Sequence, residues 1–97
     1  MNDYLFLMHD DAESAETAVA WTHYLKRLRE SGQFDGGSAI AGGECVTQSS
    51  RSDKITSHLT GYLRVRAETL EAAKRLLEGN PVFEAGGTVE IRELPRD

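Results

Sequence analysis

Cysteine, proline and long apolar runs are what this sequence has least of. Its 97 residues include a single cysteine, Cys45. No internal disulfide can therefore staple the fold, which argues against a disulfide-dense secreted scaffold and suits a reducing, cytoplasmic setting. Cys45 has no CxxC partner and no histidine at a short fixed spacing, so neither a redox motif nor a nucleophile is read there. The longest clear apolar run, Tyr4 to Met8, is far below the ~18 residues of a membrane span. No basic, apolar, cleavable leader is seen, and no signal peptide is expected. Lys and Arg number 11 against 16 Asp and Glu, a net charge of −5. Phosphate affinity needs clustered cations, so this balance argues against a general nucleic-acid binder. The length fits one domain, residues 1–97, and leaves no room for two.

What is present is two kinds of periodicity separated by glycines. Tyr4-Leu5-Phe6-Leu7-Met8 is apolar at every position, as in a strand covered on both faces. A polar stretch follows, in which Asp11 and Ser14 are both available as helix N-caps. Ala18, Trp21, Leu25 and Leu28 then recur at steps of three and four, one stripe of a helix running from Ala15 to Ser31 and stopped by Gly32. Residues 34–40 read as a short strand interrupted at Gly36-Gly37, a pattern that suits a bulge. Glu44 to Thr47 begins another short strand. Gln48 to Ser57 is almost wholly polar and reads as a mobile loop near the open face of the sheet. From His58 to Arg66 the residues alternate: Leu59, Gly61, Leu63 and Val65 on one side, His58, Thr60, Tyr62, Arg64 and Arg66 on the other. Glu68-Thr69 opens a second helix with Leu70, Ala73, Leu76 and Leu77 as its stripe, ended by Gly79-Asn80-Pro81. Val82 and Phe83 pack back as a short turn, and Thr88 to Leu94 is the last strand, with Val89 and Ile91 opposite Glu90 and Arg92. The order predicts a ferredoxin-like α+β fold: an antiparallel sheet, two helices on one face and an extra hairpin strand.

The C-terminal half resembles the YCII-related family, in particular its DGPF-containing branch. The matching residues are Leu59-Thr60-Gly61-Tyr62, Thr69-Leu70-Glu71-Ala72-Ala73, Asn80-Pro81 and Ala85-Gly86-Gly87-Thr88-Val89-Glu90-Ile91-Arg92. In the N-terminal half, the apolar first strand, Leu25, Leu28, Gly32 and Gly36-Gly37 fit as well. The resemblance implies a dimeric α+β barrel, in which the uncovered sheet faces of two copies pack together, and a domain of unassigned function. Two departures stand out. The DGPF tetrapeptide is absent from the region of Gln48 to Ser57. The position of the helical histidine of the YCII-like branch falls on Trp21, so no catalytic role passes to His23 from the family.

The candidate site residues follow from faces and spacing. With the helices on the Leu63/Val65 and Val89/Ile91 side, His58, Tyr62, Arg64, Glu90 and Arg92 share the uncovered side. That mixture suits a small-molecule pocket as well as a wet dimer interface. Trp21 joins Tyr62, Arg64 and Arg92 as a candidate substrate-binding residue. His58 is a candidate base, as is His23, with Asp35 twelve residues on as its potential partner. His9-Asp10-Asp11 lacks a second cluster to complete a metal site, so neither metal nor cofactor is expected. Three functions remain: a homodimer with a small-molecule pocket, a cofactor-independent monooxygenase- or lyase-like enzyme, or, from the resemblance, a regulator docking to a sigma-factor-like protein.

Overall fold

The computed structural model describes residues 1–49, 51–52 and 55–96. Four strands form an antiparallel sheet: β1 (Asn2–His9), β2 (Phe34–Ala39), β5 (Leu59–Ala67) and β6 (Val89–Leu94), in the spatial order β2-β5-β1-β6. The short strands β3 (Cys45–Val46) and β4 (Arg51–Ser52) pair with each other in a separate two-stranded ribbon, the hairpin expected after β2. The helices are α1 (Ala18–Glu30), α2 (Leu70–Arg75) and α3 (Pro81–Glu84). With the hairpin set aside, β1-α1-β2-β5-α2-β6 is the ferredoxin-like plan. β4 falls inside the segment expected to be a loop, Gln48 to Ser57, the rest of which lies in part outside the described residues.

Register decides which side chains meet the helices. Tyr4, Phe6 and Met8 of β1 stand opposite Val65, Leu63 and Gly61 of β5, and Phe6 and Met8 stand opposite Ile91 and Val89 of β6. All of these point to one side. Tyr4, Phe6, Met8, Leu63 and Val65 are buried there with Tyr24, Leu28, Ala73, Leu77 and Val82. Leu5, Leu7 and Tyr62 point the other way and are only half-buried. The clean alternation in β1 corrects the reading of a strand covered on both faces. Leu5 and Leu7 are apolar, yet no element among the described residues covers them.

The helices differ from the sequence pattern in several details, and α2 ends at Arg75, short of the stop expected at Gly79-Asn80-Pro81. α1 begins at Ala18, and Thr17, rather than Asp11 or Ser14, caps it, accepting from Ala20 N at 3.0 Å. The preceding segment is pinned elsewhere. Glu13 N and Ser14 N both donate to Ala85 O, and the Asp11 carboxylate holds Thr88. The buried residues of α1 are Tyr24 and Leu28, whereas Ala18 is exposed. The helix is thus rotated so that Trp21 and Leu25 sit half-buried at its flank toward β2. Val82 and Phe83 belong to a one-turn helix in place of a simple turn. Asn80 caps that helix, its Oδ1 accepting from Val82 N at 3.0 Å and Phe83 N at 3.1 Å.

Candidate functional site

The rotation of α1 opens a cavity of about 450 Å³ between the helix and the β2 edge of the sheet. Trp21 and Leu25 come from the helix, Met8 and Leu63 from the two central strands, and Phe34 from β2. The β2 wall carries no side chain at Gly36 and Gly37. Gly36 has φ 100°, a conformation that excludes most side chains, and the register of β2 on β5 shifts between Phe34 and Gly37. Gly37 has a different reason. A Cβ there would run into the Tyr62 carbonyl and lie 2.7 Å from Leu63 Cδ2. The two glycines therefore let β2 lie close against β5 and leave one wall as bare backbone.

Charged groups stand at the two ends of this cavity. Glu16, just ahead of the α1 cap, accepts the indole N–H of Trp21 at 2.9 Å and so fixes the ring. Trp21 also meets Tyr24 edge to face, with centroids 6.0 Å apart. Arg29, in the last turn, holds its guanidinium 5.8 Å from the centre of the Phe34 ring. Apolar and aromatic walls with a few fixed polar groups have the makeup of a ligand site. No histidine or cysteine lines it.

A second cluster lies on the uncovered face, where the sequence places the pocket. There Ser38, Tyr62, Leu7 and Glu90 form one cross-strand row, and Arg64, Leu5 and Arg92 the next. His9 Nε2 is 3.0 Å from Glu90 Oε1, and Glu90 Oε2 accepts from Arg92 at 3.1 Å. The His9 hydrogen bond, then that of Arg92, holds the Glu90 carboxyl below its usual range. The ring of His58 meets that of His9 edge to face at 4.8 Å, and Asp10 N donates to the His58 carbonyl at 2.7 Å. Among the described residues no group of three His, Cys, Asp or Glu is placed to hold a metal ion.

The candidates from the sequence are therefore divided between two sites. Trp21 lines the cavity, and Tyr62 borders it from β5 although its side chain shares the uncovered face with Leu7. His58, Arg64 and Arg92 lie with the uncovered-face cluster. His23 is exposed on α1. Asp35 is bound to Arg66 Nε at 2.8 Å, on the side of the sheet away from the helices, so the sheet stands between the two halves of the supposed His23–Asp35 pair. Sequence reasoning passed over Glu16, Leu25, Arg29 and Phe34 as site residues. The signal was present in part: Trp21, Leu25 and Arg29 recur at steps of four on one helix face. Paired glycines inside a strand also announce a close backbone approach. His9, read as part of a helix entry, is the centre of the second cluster.

No family model matches the chain, and no curated protein matches it. Among solved structures, it is similar to 5-chloro-2-hydroxyhydroquinone dehydrochlorinase (TftG) from Burkholderia phenoliruptrix AC1100, in complex with 2,5-dihydroxybenzoquinone. The TM-score is 0.57 at 14% identity, over 98% of this chain and 95% of that one. At this identity the likeness concerns the fold: a small α+β domain on a ferredoxin-like plan. No helix among the described residues is long and apolar enough to cross a membrane.

Proposed function

We propose that this protein is a cytoplasmic homodimer of the YCII-related, DGPF-like kind that binds a small organic molecule in the cavity between α1 and the β2–β5 edge. The observation that carries the reading is the cavity: about 450 Å³, walled by Trp21, Phe34, Leu25 and the bare backbone of Gly36-Gly37. Dimerisation would cover Leu5, Leu7 and Tyr62 on the other side of the sheet. The test is a thermal-shift screen against small aromatic and aliphatic compounds, since a ligand of the native state raises apparent stability. Compounds that stabilise the wild type are expected to leave Ala39→Phe unmoved, because Ala39 is an exposed residue of the cavity lining, where a phenyl ring would take up ligand space. No stabilising compound, or equal shifts in both proteins, would remove the cavity from the reading.

A second reading, a cofactor-independent enzyme, is favoured by the likeness in fold to a dehydrochlorinase that is seen with a quinone. In that reading His58 is the base of choice, beside the His9–Glu90 pair, and Tyr62, Arg64 and Arg92 orient the substrate on the same face. His23 with Asp35 is the weaker assignment, since Asp35 is held by Arg66. Unchanged turnover of an identified substrate by His58→Ala would take His58 out of the mechanism.

A further inference from the structure

The charges at the cavity ends differ in how they are satisfied. At one end, Glu16 is engaged by the Trp21 indole N–H. At the other, Arg29, like Arg27, Arg64 and Arg75, has no carboxylate partner among the described residues, and of these four it is the one that lines the cavity. Its guanidinium is directed over Phe34 at the cavity wall. A guanidinium beside apolar surface gains most from an anion that accepts two of its N–H groups, and a carboxylate matches its fork. Next to it the cavity wall is bare backbone at Gly36 and Gly37, and Trp21 and Phe34 add aromatic rings to the lining. Such walls favour a planar ring.

We infer that the ligand of this cavity is a planar aromatic monocarboxylate, its carboxylate on Arg29 and its ring between Trp21 and the Gly36-Gly37 backbone. The inference rests on the reading of the cavity as a ligand site and goes beyond it by naming the ligand class and the residue that selects it. Charge at the Arg29 end supplies the discrimination. A neutral amide of the same shape keeps the ring contacts and loses the charge-assisted pair. A saturated ring acid keeps the pair and loses the ring-on-ring contact with Trp21.

The chain contains one tryptophan, and it lines the cavity, so its fluorescence reports occupancy directly. Titrations would use benzoate, benzamide and cyclohexanecarboxylate against the wild type and Arg29→Gln. Arg29 is exposed, so the variant is expected to fold, as far-ultraviolet circular dichroism would show. The expected result is saturable quenching by benzoate at least about tenfold tighter than by either analogue, with the benzoate advantage over benzamide abolished in Arg29→Gln. Benzamide or cyclohexanecarboxylate binding as tightly as benzoate, or a benzoate preference that survives Arg29→Gln, overturns the inference and leaves the cavity reading intact. No saturation by any of the three overturns the inference; if the wider thermal-shift screen is also empty, the cavity reading falls with it.

Discussion

Tyr24 shows how much one side chain can tie together. It is almost fully buried at 3% exposure, and its hydroxyl donates to the Leu76 carbonyl at 2.8 Å, joining α1 to the end of α2. Burial pushes its hydroxyl up to about 12, against the opposing pull of Asn80 and then Arg27. The folded state therefore holds the phenolic proton more tightly than the unfolded chain, whose tyrosines ionise near 10. This contribution is complete below pH 10 and is lost as pH rises toward 12. Urea melts are expected to show wild type losing more stability than Tyr24→Phe across that window. At neutral pH, Tyr24→Phe should cost about 1 kcal/mol for the lost bond. Asp11 works on the acid side. The bonds from Thr88 Oγ1 and then Thr88 N, at 2.6 and 2.8 Å, hold its carboxyl below the usual value of 3.8. Its contribution is present above that value and disappears as pH falls through the lowered one. The stability gap between wild type and Asp11→Asn should therefore close on acidification, as pH-dependent urea melts would read. Gly37 is a residue defined by what it lacks. Gly37→Ala is expected to lower stability by about 1–3 kcal/mol in urea denaturation, because the atom its methyl meets is the Tyr62 carbonyl of the neighbouring strand, which cannot turn aside as a side chain can.

Among the elements, the short helix α3 depends most on its cap. One turn of helix offers almost no internal hydrogen bonding to offset its nucleation. Asn80 satisfies two of the free N–H groups at its start, Pro81 presets the first helical residue, and Val82 is fully buried beneath it. The cap is imperfect: Asn80 Nδ2 is buried without a hydrogen-bond partner among the described residues. Asn80→Ala is expected to cost about 1–2 kcal/mol in chemical denaturation. Gly87 N donates to the Val82 carbonyl, so the loss should also loosen the turn that delivers β6, visible as faster amide exchange at Gly87. α1 shows a different economy. Its two most buried residues hold it to the sheet, while Trp21 and Leu25, half-buried at its flank, serve the cavity.

At the scale of the whole molecule the protein is a thin plate, 46 × 38 × 18 Å, with a radius of gyration of 14.8 Å against about 13 Å for a compact domain of similar length. One sheet and one layer of helices account for the shortest dimension. The side without helices carries half-buried Leu5, Leu7 and Tyr62 among Arg64, Arg92, Glu90 and Asp3. Asp3 is bound to Arg96 at 2.8 Å, which keeps its carboxyl ionised below the ordinary range. A second copy of this face would cover the leucines and find charges of both signs to pair with. Sedimentation at micromolar concentration is expected to give a mass near twice 10.7 kDa for wild type and near 10.7 kDa for Leu7→Arg. Wild type at the single-chain mass would remove the dimer.

Element types and order were legible along the chain because they rest on local rules. Apolar residues at steps of three and four predict α1, alternation predicts β5, and Leu70 and Ala73 predict α2, which nonetheless ends at Arg75, before the expected stop at Gly79-Asn80-Pro81. The pairing face of β5 followed from its alternation, and with it the helix side of the sheet. The site was legible only in pieces. Trp21 stood out by type, but its role depends on the rotation of α1 about its own axis, which is set by Tyr24 reaching Leu76, a residue 52 positions away. Asp35 lies twelve residues from His23, a separation that holds no information about the sheet between them. That separation became visible only when Arg66 took the carboxylate. His9, Glu90 and His58 come together from three strands or strand ends through register, and register is a contest among distant apolar faces that no short stretch of sequence records.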